Sequence, residues 1–377
     1  MSTDTEFYDG FMSALLLIAF AHGVVLASLL FFNKRLNAKA NRFLALSLLG
    51  VSLLLFYEFI SYIGLQEEVT ELIQLIPIYL SSAIPIGLYF FVTYLIHPKH
   101  TLKSWEKWWI LPLLLQAFLS LLYIPLEEFY TSKIAAIALE ILPFAEEFVG
   151  LVTSLFLLPI TIYKVRNYQK FITFNYSTID RKSLSWLFNF LVVFAVLLLL
   201  WWISCMRWLF GYSYESTYIY VIIGMVILLF SIGYFVIQQY HLFEIIPFSS
   251  KKISKEKNQK KLSVKTDTYY TELLKLIEEK RLYENVELTL DDLTKELQLS
   301  SGYLSQIINK KEKKSFFEFI NFYRVEAVKK KLLDHNYAHY DILSIALESG
   351  FKSKSTFNAV FKKMTKQTPS AYKKKHL

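Results

Sequence analysis

Four glutamates lie within or beside long apolar runs of this 377-residue chain, and they are the side chains with the clearest chemical potential. An ionised side chain at the centre of a membrane helix costs roughly 2.5–3.5 kcal/mol on insertion scales, so such residues are functional candidates. The chemistry open to them is proton exchange or the binding of a ligand. Their simpler interpretation, as carboxyls at headgroup depth, stays open. The candidate ligand-sensing residues are Glu58, Glu140, Glu146 and Glu147.

The doublet of Glu146 and Glu147 resembles the paired glutamates of intramembrane proteases of the abortive-infection type. Those enzymes have an arginine four residues after the second glutamate, a position that Leu151 occupies here. The sequence also lacks a glycine-rich phosphate loop, a histidine pair at metal-binding spacing and a serine-nucleophile motif. We predict no catalytic residue, no metal site and no cofactor. A transporter or intramembrane enzyme with a regulatory tail stays the alternative.

Composition divides the chain into an apolar part and a basic part. Hydrophobic residues make up 54% of the sequence and there are 32 phenylalanines, which is too apolar for an ordinary soluble domain. Residues 251–377 carry 27 Lys/Arg and 16 Asp/Glu, so this tail holds more than the whole net charge of +9. A basic domain behind an apolar one suggests a polyanion as partner. Cys205 is the only cysteine, which excludes an intrachain disulfide.

Apolar runs long enough to cross ~30 Å of hydrocarbon predict seven membrane spans. The predicted spans are 10–32, 43–65, 72–96, 108–125, 142–163, 186–210 and 218–237. Lysine and arginine are concentrated in the segments 33–42, 97–107 and 164–185, and short basic loops stay in the cytoplasm. We therefore expect a multi-pass protein of the cell inner membrane, with its amino terminus outside and its carboxyl-terminal domain in the cytoplasm.

After the last apolar run, residues 238–267 read as a basic linker and residues 268–377 as a separate helical domain. Thr289 and Asp292 form the pattern of a capping box, and a short helix through Leu297 follows. Ser300 is placed to cap the next helix. Helix, short turn and second helix are typical of a helix-turn-helix unit.

The same pattern returns about 53 residues later. Asp341 is placed to cap one helix and Ser353 the next, and Gly350 between them permits a left-handed turn. Between the two units, Ser315 and Glu318 begin a helix that runs to about Leu333. A rod of roughly 28 Å could set two recognition helices in successive major grooves, which lie about 34 Å apart.

At these residues the sequence resembles the DNA-binding domain of AraC-family transcription regulators. The second unit carries the more specific matches, at Ile345, Ala346, Gly350, Phe351, Ser353, Phe357, Phe361, Lys362, Lys363, Thr368, Pro369, Ser370 and Tyr372. The first unit matches at Leu293, Ser300, Tyr303, Leu304, Ser305, Asn309, Phe316, Ile320, Asn321, Tyr323 and Arg324. Lys313 and Lys366 stand where the family usually has glycine, which predicts strain of about 1 kcal/mol at each turn.

The resemblance implies roles for individual residues of the two recognition helices. Base edges would be met by Gly302, Ser305, Gln306, Lys354, Ser355 and Asn358. Glutamine and asparagine can pair bidentately with adenine, and lysine can donate to guanine. Phosphates would be met by Ser300, Asn309, Lys310, Ser353, Lys362 and Lys363. Each could equally belong to a solvated helix face. Leu304, Ile308, Phe357 and Phe361 are assigned to the core.

Together these patterns predict an all-α protein, with a seven-helix transmembrane bundle followed by a cytoplasmic AraC-type double helix-turn-helix domain. The predicted function is a membrane-bound transcription regulator that couples a membrane signal to promoter binding, and the sequence leaves open whether it is an activator or a repressor. Its expected partners are double-stranded promoter DNA, membrane lipid, a second copy of the chain as a homodimer, and an unidentified small ligand or membrane partner. An alternative gives the membrane half no role beyond anchoring.

Overall fold

The computed structural model describes residues 2–33, 37–63, 80–122, 133–179, 184–211, 215–238 and 262–376. Within these ranges the chain is all-α, and its one β contact is an isolated antiparallel bridge between Tyr176 and Thr289. The chain folds as two compact units. The first comprises residues 1–166 and 184–247, and the second comprises residues 167–183 and 248–377.

The first unit is built from apolar helices. They are α1 Ser2–Phe32, α2 Ala38–Tyr62, α3 Ala83–Ile96, α4 Ile110–Leu121, α5 Lys133–Asn175, α6 Ser185–Leu209 and α7 Glu215–Gln238, with α5 continuing into the second unit. Their outward faces expose large apolar side chains such as Leu29, Leu199 and Ile227. A surface of this kind is stable against lipid rather than water.

Five of the described helices are long and apolar enough to cross a membrane. These segments are Gly10–Phe32, Ala38–Ile60, Phe144–Asn175, Ser185–Arg207 and Tyr218–Phe235. The prediction of seven spans is therefore matched by five helices of sufficient length. Part of the predicted span 72–96 lies outside the described residues, and its remainder is the 14-residue helix α3.

The predicted span 108–125 corresponds to a shorter helix. A 3₁₀ turn at Ser104–Trp109 precedes α4, which has 12 residues, and residues 123–125 lie outside the described part. Twelve residues rise only about 18 Å, less than the hydrocarbon thickness. Within the described residues, the helical part of this apolar stretch is α4 with the 3₁₀ turn before it.

The second unit consists of short amphipathic helices joined by tight turns. They are α8 Leu262–Glu279, α9 Leu290–Leu297, α10 Ser301–Glu312, α11 Phe316–Leu333, α12 Ile342–Glu348, α13 Lys354–Thr365 and α14 Pro369–His376. Helix α8 begins at Leu262, inside the segment 238–267 that was interpreted as linker.

Side-chain caps set where these helices begin. Thr289 and Ser315 each accept from the amide three residues on, and Asp292 and Glu318 return the bond, so both predicted capping boxes are confirmed. The predicted caps Ser300, Asp341 and Ser353 also accept backbone amides. Each such cap stabilises its helix by about 1 kcal/mol, so local sequence alone specifies these boundaries.

Two apolar clusters hold the second unit together, and α11 contributes to both. The first cluster packs α8, α9 and α10 against the first half of α11, with Leu273, Leu293, Leu304 and Phe316 buried. The second packs α12 and α13 against the second half, around Val328. Helix α11 thus packs against both helix-turn-helix units.

Candidate nucleic-acid interface

Helix α10 is the second helix of the first helix-turn-helix unit, and it is amphipathic. Leu304, Ile307 and Ile308 face the core at 0–1% exposure, which confirms the assignment of Leu304 and Ile308. Gln306 lies on the opposite, exposed side, with Asn309 and Lys310. Gly302 and Ser305 are half-buried. The residues predicted to read bases and bind phosphate from this helix therefore share its outward face.

Helix α13 repeats this arrangement in the second helix-turn-helix unit. Phe357 and Phe361 are buried at 0–1% exposure, as predicted, and Val360 packs beside them. The outward face carries the exposed side chains of Lys354, Ser355, Asn358, Lys362 and Lys363. An amide and several ammonium groups on one free helix face suit major-groove edges and phosphates. Their individual roles stay predictions.

Ser300 and Ser353 are occupied as helix caps. The Ser300 hydroxyl accepts from the Tyr303 amide at 3.4 Å, and the Ser353 hydroxyl accepts from the Thr356 amide at 3.3 Å. Because each serine begins a recognition helix, the first backbone amides and the positive end of the helix dipole lie beside it. A phosphate near either serine would meet those amides, which is the chemistry of anion binding at helix N-termini.

Lys363 makes an ion pair within the unit. Its Nζ lies 2.9 Å from Glu318 Oε1, with 71% of the lysine side chain and 38% of the glutamate side chain exposed. The Lys363 ammonium holds the pKa of the Glu318 carboxyl below its usual range. Such an exposed pair contributes little to stability, so a phosphate can compete for this lysine. Lys362, its neighbour, is exposed without this contact.

Both recognition helices end in a lysine with left-handed backbone. Lys313 has φ +56° and Lys366 has φ +60°, and their amides donate to the carbonyls of Asn309 and Lys362 at 2.9 Å, which closes the last helical turn. These are the positions at which the resemblance predicted strained turns. An L side chain in this conformation costs energy that glycine avoids.

We expect Lys313→Gly and Lys366→Gly each to raise the free energy of unfolding by about 0.5–1 kcal/mol, because glycine relieves the left-handed strain at a helix end. Urea-dependent amide exchange of the second unit measures the change. Lys330→Gly is the matched control, since Lys330 is an exposed lysine in the last turn of α11 and its φ is not positive. Glycine there should lower the free energy of unfolding by about 1 kcal/mol. A loss of stability in both turn variants would contradict the strain argument.

Arg324 is a buried cation at the centre of the second unit, on α11. It is 1% exposed, and its Nε donates to the Tyr283 carbonyl at 2.8 Å while Nη2 donates to the Asn285 carbonyl at 2.9 Å. Gly350, at φ +92° in the turn of the second helix-turn-helix unit, lies so close that an added Cβ would be 2.9 Å from Arg324 Nε. Arg324 therefore joins the segment before α9 to the turn before α13. Sequence reasoning noted it only as part of the resemblance.

Comparison with known proteins identifies a helix-turn-helix domain in this unit. The family model described as a helix-turn-helix domain matches residues 293–375. Residues 293–375 form an AraC-type helix-turn-helix domain. Such a domain implies binding to double-stranded DNA.

Relatives of the AraC-type domain are themselves named as regulators. An uncharacterized HTH-type transcriptional regulator of Staphylococcus aureus strain COL is 34% identical over 92 residues, which is 24% of this chain and 12% of that protein. A regulator of the same description from strain MSSA476 matches to the same extent. The chain thus matches only about an eighth of the length of these curated relatives. A solved protein of unknown function from Listeria innocua is 28% identical, covering 29% of this chain and 97% of that chain, with a TM-score of 0.26.

Outside the AraC-type domain, the predicted ligand-sensing glutamates are in part buried in the first unit. Glu146 is 4% exposed and accepts from the Ser120 hydroxyl at 2.8 Å. Glu147 accepts from Trp201 Nε1 at 3.1 Å. Glu58 lines a cavity of about 30 Å³ together with Trp201 and Tyr218. The side chain of Glu140 lies outside the described part.

Glu58 and Glu147 are thus brought together around Trp201, whereas Glu146 belongs to a separate polar group on α4 and α5. In that group Gln116 Nε2 donates to the Ser81 hydroxyl and to the Glu146 carbonyl, both at 2.8 Å. In the described residues, no group of three His, Cys, Asp or Glu side chains could hold a metal ion.

Proposed function

We infer that this chain is a membrane-bound, sequence-specific transcription regulator that couples a signal at or in the membrane to promoter binding. The observation that carries the inference is the pair of recognition helices, α10 and α13, whose exposed faces bear amides and lysines. They lie on the same chain as five helices of membrane-spanning length. A DNA-binding domain on such a chain works at the inner surface of the membrane, with the amino terminus outside.

Direct base contact is the testable core of this function. Gln306→Ala and Asn358→Ala should each lower the affinity for the target promoter by about 1–3 kcal/mol, roughly 5- to 150-fold, because each loses a bidentate pairing. The measurement is competition binding of the full chain in phospholipid nanodiscs to promoter fragments of the source genome, at near-physiological salt.

Asn336→Ala is the matched control, since Asn336 is an exposed asparagine of the same unit outside both recognition helices. It should bind like the unsubstituted chain. Weak binding that is uniform across fragments and unchanged in the Gln306 and Asn358 variants would refute sequence-specific regulation by these helices.

Signal reception belongs to the first unit in this proposal. Glu146 is buried against Ser120, and the partly buried Glu58 and Glu147 lie beside Trp201. These positions support the three residues as candidates for sensing, because a carboxylate in an apolar bundle is costly and a ligand or proton changes that cost. Glu140 stays in the same candidate set. Membrane lipid and a small ligand or membrane partner are the corresponding partners.

A homodimer would explain why the AraC-type domain is attached to membrane helices. Two chains brought together in the plane of the membrane would present two AraC-type domains to one promoter, and the second domain would then bind at high effective concentration. Regulation by single, unpaired chains in single-molecule imaging would contradict this part of the proposal. A promoter-fusion assay in cells distinguishes activation from repression.

A further inference from the structure

A short segment from the middle of the chain is built into the DNA-binding unit. Residues 176–178 follow directly after helix α5, and Tyr176 forms the antiparallel bridge with Thr289. The Ser177 amide donates to the Leu288 carbonyl at 3.2 Å, and the Ser177 hydroxyl donates to the same carbonyl at 2.7 Å. The Thr178 hydroxyl donates to the Val286 carbonyl at 2.6 Å. This segment, the docking segment, is therefore paired like a strand with residues 286–289.

The other side of the docking segment is held by α11. Arg324 Nη1 donates to the Ser177 carbonyl at 3.0 Å, and Arg324 Nη2 donates to the Ser177 hydroxyl at 3.0 Å. Asn321 Nδ2 donates to the same Ser177 carbonyl at 3.2 Å. Ser177 is 0% exposed and Thr178 is 5% exposed. Buried polar groups with this degree of satisfaction are a specific contact, because any displacement leaves several of them unpaired.

The docking segment reaches both helix-turn-helix units through these contacts. Thr289, opposite Tyr176, caps α9 of the first helix-turn-helix unit. Arg324 also donates to the carbonyls of Tyr283 and Asn285, and it lies against Gly350 in the turn of the second helix-turn-helix unit. A displaced docking segment would leave this arginine with part of its hydrogen bonds unmade, at the point where the two units meet.

The docking segment does not occupy the DNA-binding faces. With Ser177 and Thr178 buried, the side chains of Gln306, Lys354 and Asn358 are exposed. Docking and base contact are therefore compatible in one molecule. Helix α5 runs without interruption from Lys133 to Asn175 and contains the membrane-length segment Phe144–Asn175, so the docking segment is the direct continuation of a candidate span.

We propose that the surface formed by residues 283–289, Asn321 and Arg324 is a docking site for the chain's own residues 176–178, and that docking holds the two helix-turn-helix units in the DNA-binding arrangement. This rests on the proposed function, because it assigns the route by which the membrane half acts on promoter binding. A signal that moves α5 changes the docking, and docking changes the affinity for DNA.

The test uses the full chain in phospholipid nanodiscs and two readouts, amide hydrogen exchange and promoter affinity. Thr178→Val removes the hydroxyl and keeps the shape, and the double variant Ser177→Ala/Thr178→Val removes both hydroxyls. In the double variant we expect exchange of the amides in residues 283–290 to rise about tenfold and promoter affinity to fall about tenfold. Thr178→Val alone should change both in the same direction by a smaller factor.

Two matched variants keep this test decisive. Thr178→Ser retains the hydroxyl and should behave like the unsubstituted chain. Thr173→Val removes a hydroxyl that bonds only the Lys170 carbonyl of its own helix, and it should leave both readouts unchanged. Protection of the core amides at residues 304–308 and 357–361 in every variant establishes that the domain stays folded.

Each outcome decides one part of the proposal. Unchanged exchange in residues 283–290 of the double variant overturns the docking site. Faster exchange with unchanged promoter affinity overturns the link to DNA binding. If the unsubstituted chain retains no promoter fragment specifically, the proposed function fails, and the link to DNA fails with it. The exchange readout then still accepts or rejects the docking site by itself.

Discussion

Replacing Arg324 by alanine should lower the free energy of unfolding of the second unit by about 3–5 kcal/mol. The guanidinium donates to backbone carbonyls of Tyr283, Asn285 and Ser177, all at 2.8–3.0 Å. Alanine would leave these buried acceptors unpaired and open a cavity between the two apolar clusters. Each unpaired buried acceptor costs about 1–3 kcal/mol, and partial relaxation keeps the total below the sum.

Urea-dependent amide exchange of residues 319–328 in the full chain measures this loss. Arg281→Ala is the control, because Arg281 is an exposed arginine of the same unit and its 3.6 Å contact with Glu284 lies at the surface. That variant should stay within about 0.5 kcal/mol of the unsubstituted chain. Arg324→Lys should recover only part of the loss, since a single ammonium cannot reach carbonyls on several sides. A loss below about 1 kcal/mol for Arg324→Ala would contradict the claim that this arginine is central to the stability of the second unit.

Gly350→Ala should lower the free energy of unfolding of the second unit by about 2–4 kcal/mol. It should also abolish most of the promoter binding. A Cβ at this position would lie 2.3 Å from the Tyr283 carbonyl oxygen and 3.0 Å from the Glu284 Cα, which are backbone atoms that cannot rotate away. The φ of +92° adds strain for any L side chain. Amide exchange of residues 345–361 and promoter affinity are the measurements.

A second variant separates the two causes of this loss. Asparagine tolerates left-handed backbone better than alanine, but its Cβ occupies the same position. Gly350→Asn should therefore be as unstable as Gly350→Ala if the close approach to Tyr283 is decisive. Recovery with asparagine would assign the effect to backbone conformation. Lys313 and Lys366 adopt φ of +56° and +60° in the same unit, so a positive φ by itself does not prevent folding.

The parts of the fold that could be predicted from sequence are those that local chemistry determines. Thr289, Ser300, Ser315, Asp341 and Ser353 begin helices where the sequence predicted, because a cap needs only a side-chain oxygen and an amide three residues away. The buried faces of α10 and α13 follow from helical periodicity in the same way.

The Arg324 contacts could not be predicted by such reasoning, because their partners lie far apart in the chain. Ser177 and Arg324 are 147 residues apart, and nothing in either local pattern indicates the other. The start of α8 at Leu262 was missed because lysine-rich composition was interpreted as linker.

The docking segment is tethered to the surface that it occupies, and this favours some controllers over others. A segment on the same chain acts at an effective concentration on the order of 1 mM. A soluble competitor at about 1 µM would have to bind residues 283–289 roughly a thousand times more tightly to displace it from half of the molecules. Diffusing proteins that mimic Tyr176, Ser177 and Thr178 are therefore poor controllers. Events that pull on α5 itself act with no such disadvantage.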